Sequence, residues 1–162
     1  MADFNIAIKD VFSPRNEGST FSNVSSDLGG ATKYGVSKRF YPQVDIVNLT
    51  EEQAAKIWKD SFWTPNRLEE INDQEIANKL LNMIGNSNTA IKQIQIALLK
   101  LGVRVKVDGV IGSATITAIN SSNPIALLAL FKLERIEYYL NIVDSKPDQL
   151  ANLKGWTRRV LL

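Results

Sequence analysis

Histidine and cysteine are both absent from this 162-residue chain. Disulfides and any metal site built on Cys or His are therefore excluded. Ser-His-Asp and Cys-His catalysis are excluded as well. Acid–base chemistry, if there is any, falls to Asp, Glu, Lys or Tyr. No apolar run approaches the roughly 18–20 residues needed to cross a bilayer, so no stable membrane insertion is expected. The start, MADFNIAIKDVF, lacks the basic opening and long apolar stretch of a signal peptide. Synthesis in a cytoplasm is the expectation, with delivery by another route if the target lies outside the membrane. A dense Lys/Arg stripe is also missing. The formal net charge is +2 and the pI about 8.8, which argues against nucleic acid and is compatible with a weakly anionic polymer.

What is present is an ordinary globular composition, 44% hydrophobic and 22% charged, long enough for one domain with a sizeable core. Phe4, Ile8, Val11 and Phe12 share one helical face, and Pro14 should end that helix. From Gly18 to about Asn48 no helical period appears, and Thr32 to Tyr41 is read as a short irregular hairpin. TEEQ at Thr50–Gln53 is a capping box, followed by a helix bearing Ala54, Ile57, Trp58 and Phe62. Thr64-Pro65 reads as a further helix start. Asp73 opens a helix that Gly85 should stop, and Ile91, Ile94, Leu98 and Leu101 form the next stripe, closed by Gly102. Asp108-Gly109 is a turn, Ser113 caps a short helix, and Asn123-Pro124 starts the longest one. Pro147 opens a final short helix ahead of Gly155-Trp156. The expectation is a mostly α fold with one irregular segment near the start.

That irregular segment, NEGSTFSNVSSDLGGATKYGVSKR, holds two acids ten positions apart, Glu17 and Asp27. Acids among small residues and glycines are commonly solvated loop groups or local caps. Two carboxyls flanking a bond are also the usual machinery for cleaving glycosides, one donating a proton and the other acting on water or on the developing cation. That chemistry needs neither histidine nor metal. The spacing is not specific to either reading.

The residues around the acids are more telling. Glu17-Gly18, then Asp27 with Gly29-Gly30, then ATKYGVS resemble the N-terminal signature of glycoside hydrolase family 108, an E-G-G start followed by D-x-G-G-x-T-x-x-G-[IV]. AAKIWKDSFW resembles the family's alanine-rich helix with aromatic end. AIKQIQIALLKLG, VDGVIGSATITAIN, LERIEYYL and LKGWTRR resemble the peptidoglycan-binding region that follows it. The resemblance implies a lysozyme-like N-acetylmuramidase of phage or bacterial type. On that basis Glu17 is the general acid, Asp27 the base or electrostatic partner and Thr32 a water-positioning group. Tyr34 lines the cleft. Ser19 departs from the pattern, standing where the second glycine of E-G-G is expected.

Trp63, next to a helix end, is the aromatic best placed to stack on sugar, whereas Trp58 lies on the apolar face and reads as core. VDGVIG with Thr115 resembles the D-G-x-x-G-x-x-T core of small wall-binding modules, although a turn leading into a helix cap explains the same residues. Arg158-Arg159 read as a solvated basic end. The resulting expectation is one lysozyme-like domain over 1–162, with 1–85 as the catalytic part and 86–162 as a helical, peptidoglycan-binding-like part. Peptidoglycan strands are the partner, the protein is a monomer, and no metal or organic cofactor is required. A lytic transglycosylase, or a non-catalytic wall-binding or assembly factor on the same fold, is the alternative.

Overall fold

The computed structural model describes residues 1–23 and 30–161. It is 61% helical. The helices are α1 (Phe4–Val11), α2 (Glu51–Trp58), α3 (Gln74–Asn86), α4 (Thr89–Lys100), α5 (Ser113–Ser121), α6 (Pro124–Ser145) and α7 (Leu150–Leu161). Two short antiparallel strands, β1 (Thr32–Lys33) and β2 (Val36–Ser37), form a hairpin with Thr32 opposite Ser37 and Lys33 opposite Val36. This is the expected mostly α, lysozyme-like class with a small irregular β element near the N-terminus.

Helix starts follow local chemistry. Asp3 accepts from the Asn5 N–H, Asp73 from Ile76 and Asn123 from Ala126, with Pro124 at the first helical turn. Thr50 and Gln53 make the reciprocal capping box. α3 is the central element. Every residue from Ile76 to Ile84 is buried, as a helix must be when it has neighbours on all sides. α1, α4 and α6 pack against it.

Four details differ from the sequence reading. No α-helix begins at Pro65. Instead α2 runs on through a π-helical turn, Lys59–Trp63, closed by the Thr64 N–H on the Lys59 carbonyl at 3.0 Å. The wider turn inserts a residue, shifts the helical face and carries Trp63 inward. Gly85 does not stop α3, which continues to Asn86. Its lack of a side chain serves packing, because a Cβ there would lie 2.2 Å from the Trp58 ring. Ser113 is the first residue of α5 rather than its cap, which is Gly112. Finally, α7 passes straight through Gly155-Trp156, where the sequence reading ended the helix, and runs on to Leu161. Leu153 and Trp156 pack against the core and Val160 lies within it, so the apolar face, rather than glycine's weak helix propensity, decides the outcome.

Candidate functional site

Glu17 sits just past α1, where its N–H reaches back to the Val11 carbonyl at 3.0 Å. Gly18 follows at φ +67° and turns the chain away. The Glu17 stem rests on Gly35 of the hairpin turn. Gly35 has φ +70°, and a Cβ on it would lie 2.8 Å from both Glu17 Cγ and Trp58 Cζ2. The turn itself is fixed by the Trp58 indole, whose Nε1–H donates to the Tyr34 carbonyl at 2.9 Å. Trp58 is thus wedged between Gly35 and Gly85. It sets the distance between hairpin and α3, and the Glu17 stem lies at the same junction.

The Glu17 carboxyl is mostly buried, with 18% of the side chain exposed. Two side chains meet Oε1. Asn86, the last residue of α3, donates its Nδ2–H at 3.4 Å. Arg159 of α7 places Nη1 at 3.0 Å. Arg159 also donates to Asn86 Oδ1, and Asn86 in turn donates to the Asn82 carbonyl at 2.8 Å. Glu17, Asn86 and Arg159 therefore form a closed triangle drawn from a loop, a helix end and a second helix. α7 is held in place by two cations near its end: Lys79 Nζ donates to the Arg159 carbonyl at 3.2 Å and Lys132 Nζ to the Leu161 carbonyl at 3.1 Å, a favourable arrangement at a helix C-terminus. Burial, followed by repulsion from Lys132, pushes the Lys79 ammonium below its ordinary range.

Beside the triangle lies an open cavity of about 440 Å³, walled by Gly35, Ser37, Phe40, Tyr41 and Phe62 on one side and by Ile84 to Asn88 on the other. Phe40 is 76% exposed. An apolar plane flanked by Ser and Asn side chains suits a sugar ring, with C–H faces for the aromatics and hydroxyls for the polar rim. A smaller cavity of about 150 Å³ shares Asn86 and Ser87 with the first and is closed by Arg135, Tyr138, Tyr139, Ile142 and Trp156. Trp156 stacks on Tyr139 at 5.0 Å.

The sequence-predicted residues divide. Glu17 is at the centre of the arrangement. Asp27 lies outside the described residues. Thr32 is half-buried, and its Oγ1–H donates to the Gly30 carbonyl at 3.0 Å. Tyr34 contributes its backbone. Its own φ is +53°, uncommon for a residue with a side chain, and its ring packs on Phe12 at 5.0 Å. Neither Tyr34 nor Trp63 is among the described residues that line the larger cavity. Trp63 is 2% exposed and packs edge-on against Phe4 at 5.5 Å. That corrects the expectation that it stacks on substrate, for which Phe40 is the exposed aromatic. Asn86 lies in no motif, and Arg159 closes the LKGWTRR stretch without anything there marking it as a site residue. Arg159 lies three residues beyond Trp156 and one before buried Val160, which places it at the edge of the inward face of α7 rather than in a solvated tail.

The VDGVIG segment is accounted for by buried Gln95. Its Nε2 donates to Asp108 Oδ1 and the Val110 carbonyl, both at 3.0 Å, and to Thr115 Oγ1 at 3.3 Å. The Gly109 N–H returns to Gln95 Oε1 at 2.9 Å. The Gln95 amide, then the Val110 N–H, hold the Asp108 carboxyl below the usual carboxylate range. The D-G-x-x-G-x-x-T residues thus tie a loop onto α4.

Comparison with known proteins bears on the same pieces. Residues 12–87, which hold Glu17, the hairpin, Trp58 and Asn86, match the family model described as Glycosyl hydrolase 108. They form a glycosyl hydrolase family 108 region. Residues 89–161 match the model described as Predicted Peptidoglycan domain. The two meet at Asn86–Thr89, so the family 108 region ends where α3 hands over to α4. No curated protein matches this chain. A solved structure, that of Brucella abortus SagA, matches with a TM-score of 0.77 at 24% identity, over 98% of this chain and 89% of that one. That likeness shows the fold. A family 108 region joined to a peptidoglycan domain supports a glycoside hydrolase role, with peptidoglycan as the polymer acted on.

Proposed function

We propose that this chain is an N-acetylmuramidase that hydrolyses the β-1,4 bond from N-acetylmuramic acid to N-acetylglucosamine. The observation that carries the reading is the place of Glu17. It is the carboxyl of the family 108 region whose contacts, Gly35 and Asn86, are themselves walls of the sugar-sized cavity. In this reading the Glu17 carboxyl gives its proton to the glycosidic oxygen as the bond to the leaving sugar breaks, and an oxocarbenium-like centre develops on the muramic acid ring. Asp27 steadies that charge or activates the attacking water. Thr32, whose hydroxyl proton is committed to Gly30, offers its oxygen lone pairs to the same water. Phe40, Tyr41 and Phe62 stack on the glycan.

The test is digestion of purified sacculi by wild type and Glu17→Gln, with mass spectrometry of the fragments. Glu17→Gln should keep the fold and lose about 10²–10⁴-fold in rate, the usual worth of a general acid. Reducing muramic acid ends support hydrolysis. Ends in the 1,6-anhydro form would assign a lytic transglycosylase instead, and sacculus binding with no released fragment a non-catalytic wall protein. Near-wild-type turnover by Glu17→Gln would sink the assignment of the acid.

A further inference from the structure

The C-terminal region, matched as a peptidoglycan domain, sends one side chain into the neighbourhood of Glu17. From the geometry we infer that Arg159 is a positioning residue for Glu17, so that the C-terminal region completes the active site and is not merely a tether to the wall. The inference rests on the reading of Glu17 as the acid.

Three observations lead there. First, the contact is specific: Arg159 Nη1 is 3.0 Å from Glu17 Oε1, with only 22% of the arginine and 18% of the glutamate side chain exposed. A guanidinium set against a mostly buried carboxyl oxygen is held there only by good geometry and further hydrogen bonds, and with Oε1 taken up by Arg159 and Asn86 the proton that the acid transfers is carried on Oε2. Second, the guanidinium is fixed at the other end too, by Asn86 Oδ1, and Asn86 also donates to Glu17. Each member of the triangle restrains the other two, leaving Oε2 as the carboxyl oxygen not engaged by Arg159 or Asn86. Third, α7 is anchored where it carries Arg159. The Lys79 ammonium, desolvated and displaced below its ordinary range, takes the Arg159 carbonyl itself, and Lys132 takes the carbonyl two residues on. Trp156 is stacked on Tyr139 one turn earlier. A solvated basic tail has no such anchorage. The neighbouring Arg158, by contrast, is exposed.

A carboxyl that transfers a proton must be held to within a fraction of an ångström of its course, and misplacement by about 1 Å costs on the order of 10²-fold. Arg159→Met removes the guanidinium and keeps the aliphatic packing. Its kcat on a soluble glycan fragment should fall about tenfold to a hundredfold with KM changed less than about threefold, since no wall residue is replaced and Asn86 keeps its bond to the Asn82 carbonyl. Added guanidinium ion should restore several-fold of the lost kcat to Arg159→Met, and Arg159→Lys should retain an intermediate rate. Arg158→Met is the control and should behave as wild type.

Wild-type kcat in Arg159→Met overturns the inference. So does a loss confined to KM, or a loss that guanidinium leaves unchanged while circular dichroism and melting temperature fall. If Arg159→Met does not fold, Arg159→Lys decides on the same kcat-against-KM criterion. The two readings fail separately: an active Glu17→Gln removes the acid assignment, whereas an inactive Glu17→Gln beside a fully active Arg159→Met removes only the role of Arg159.

Discussion

Gly35 leaves the space that the Glu17 side chain occupies, since a Cβ built on Gly35 would come within 2.8 Å of Glu17 Cγ. The same Cβ would strike Trp58 Cζ2 at 2.8 Å, and the backbone is left-handed at φ +70°. Gly35→Ala therefore meets three penalties at one position. Overpacking and the left-handed backbone each cost about 1–3 kcal/mol. Together they should destabilise the fold by about 2–6 kcal/mol in thermal melts, and lysis of sacculi should fall further than the melt alone explains, because the displaced group is Glu17.

Gly85→Ala poses helix propensity against packing. Alanine is favoured in a helix by about 1 kcal/mol, yet its Cβ would sit 2.2 Å from the ring of Trp58. The ring is closed in by Gly35 and by its bond to Tyr34. Packing should win, and the variant should melt lower than wild type. A red shift of the tryptophan emission would show that the indole has moved. A rise in melting temperature would mean that the hairpin yields easily, against the account given for Trp58.

Trp63 and Phe40 should separate stability from binding. Trp63→Ala empties a core position and should cost about 3–5 kcal/mol. Phe40→Ala, at a side chain 76% exposed, should leave the melting temperature within a degree or two and raise KM for glycan strands. Denaturant curves and steady-state kinetics on the two variants test both halves. A Trp63→Ala protein of normal stability with raised KM would return Trp63 to the cleft.

Acid should loosen the loop tied down by Gln95. The Asp108 carboxyl is held below the usual carboxylate range, first by the Gln95 amide. An unfolded aspartate titrates near pH 4. The stabilisation is thus fully present above that value and is lost as the pH falls through the lower folded value. Melting temperature should drop more steeply below about pH 4 in wild type than in Asp108→Asn, which lacks the titrating group at every pH. Equal slopes for the two proteins would show that other carboxyls govern acid unfolding.

Most of the helices were legible because their signals are local: Thr50 with Gln53, Asp73, and Asn123 with Pro124 each satisfy backbone groups within three residues. Glu17 was legible because its flanking glycines form a pattern. The misreadings share a different cause. Trp63 turns inward through a π-helical turn that no spacing rule announces. Gly85 looked like a helix stop but answers to an indole 27 positions earlier. Gly155 read as a helix boundary and the two arginines as a solvated basic end because the faces that hold α7, on α3 and α6, are remote in sequence. Arg159 was missed for the same reason, as a salt bridge between distant segments leaves no trace in either segment alone.

The triangle of Glu17, Asn86 and Arg159 also bears on the order of folding. Asn86 is 69 residues from Glu17, and Arg159 another 73 beyond Asn86. Contacts closed over such loops form after local helices, since the chain entropy must be lost before the contact is gained. α2, α3 and α4 can be in place while the carboxyl still lacks its arginine. During refolding, helical signal should therefore return ahead of enzymatic competence, and a nascent chain carries an unfinished site until α7 docks.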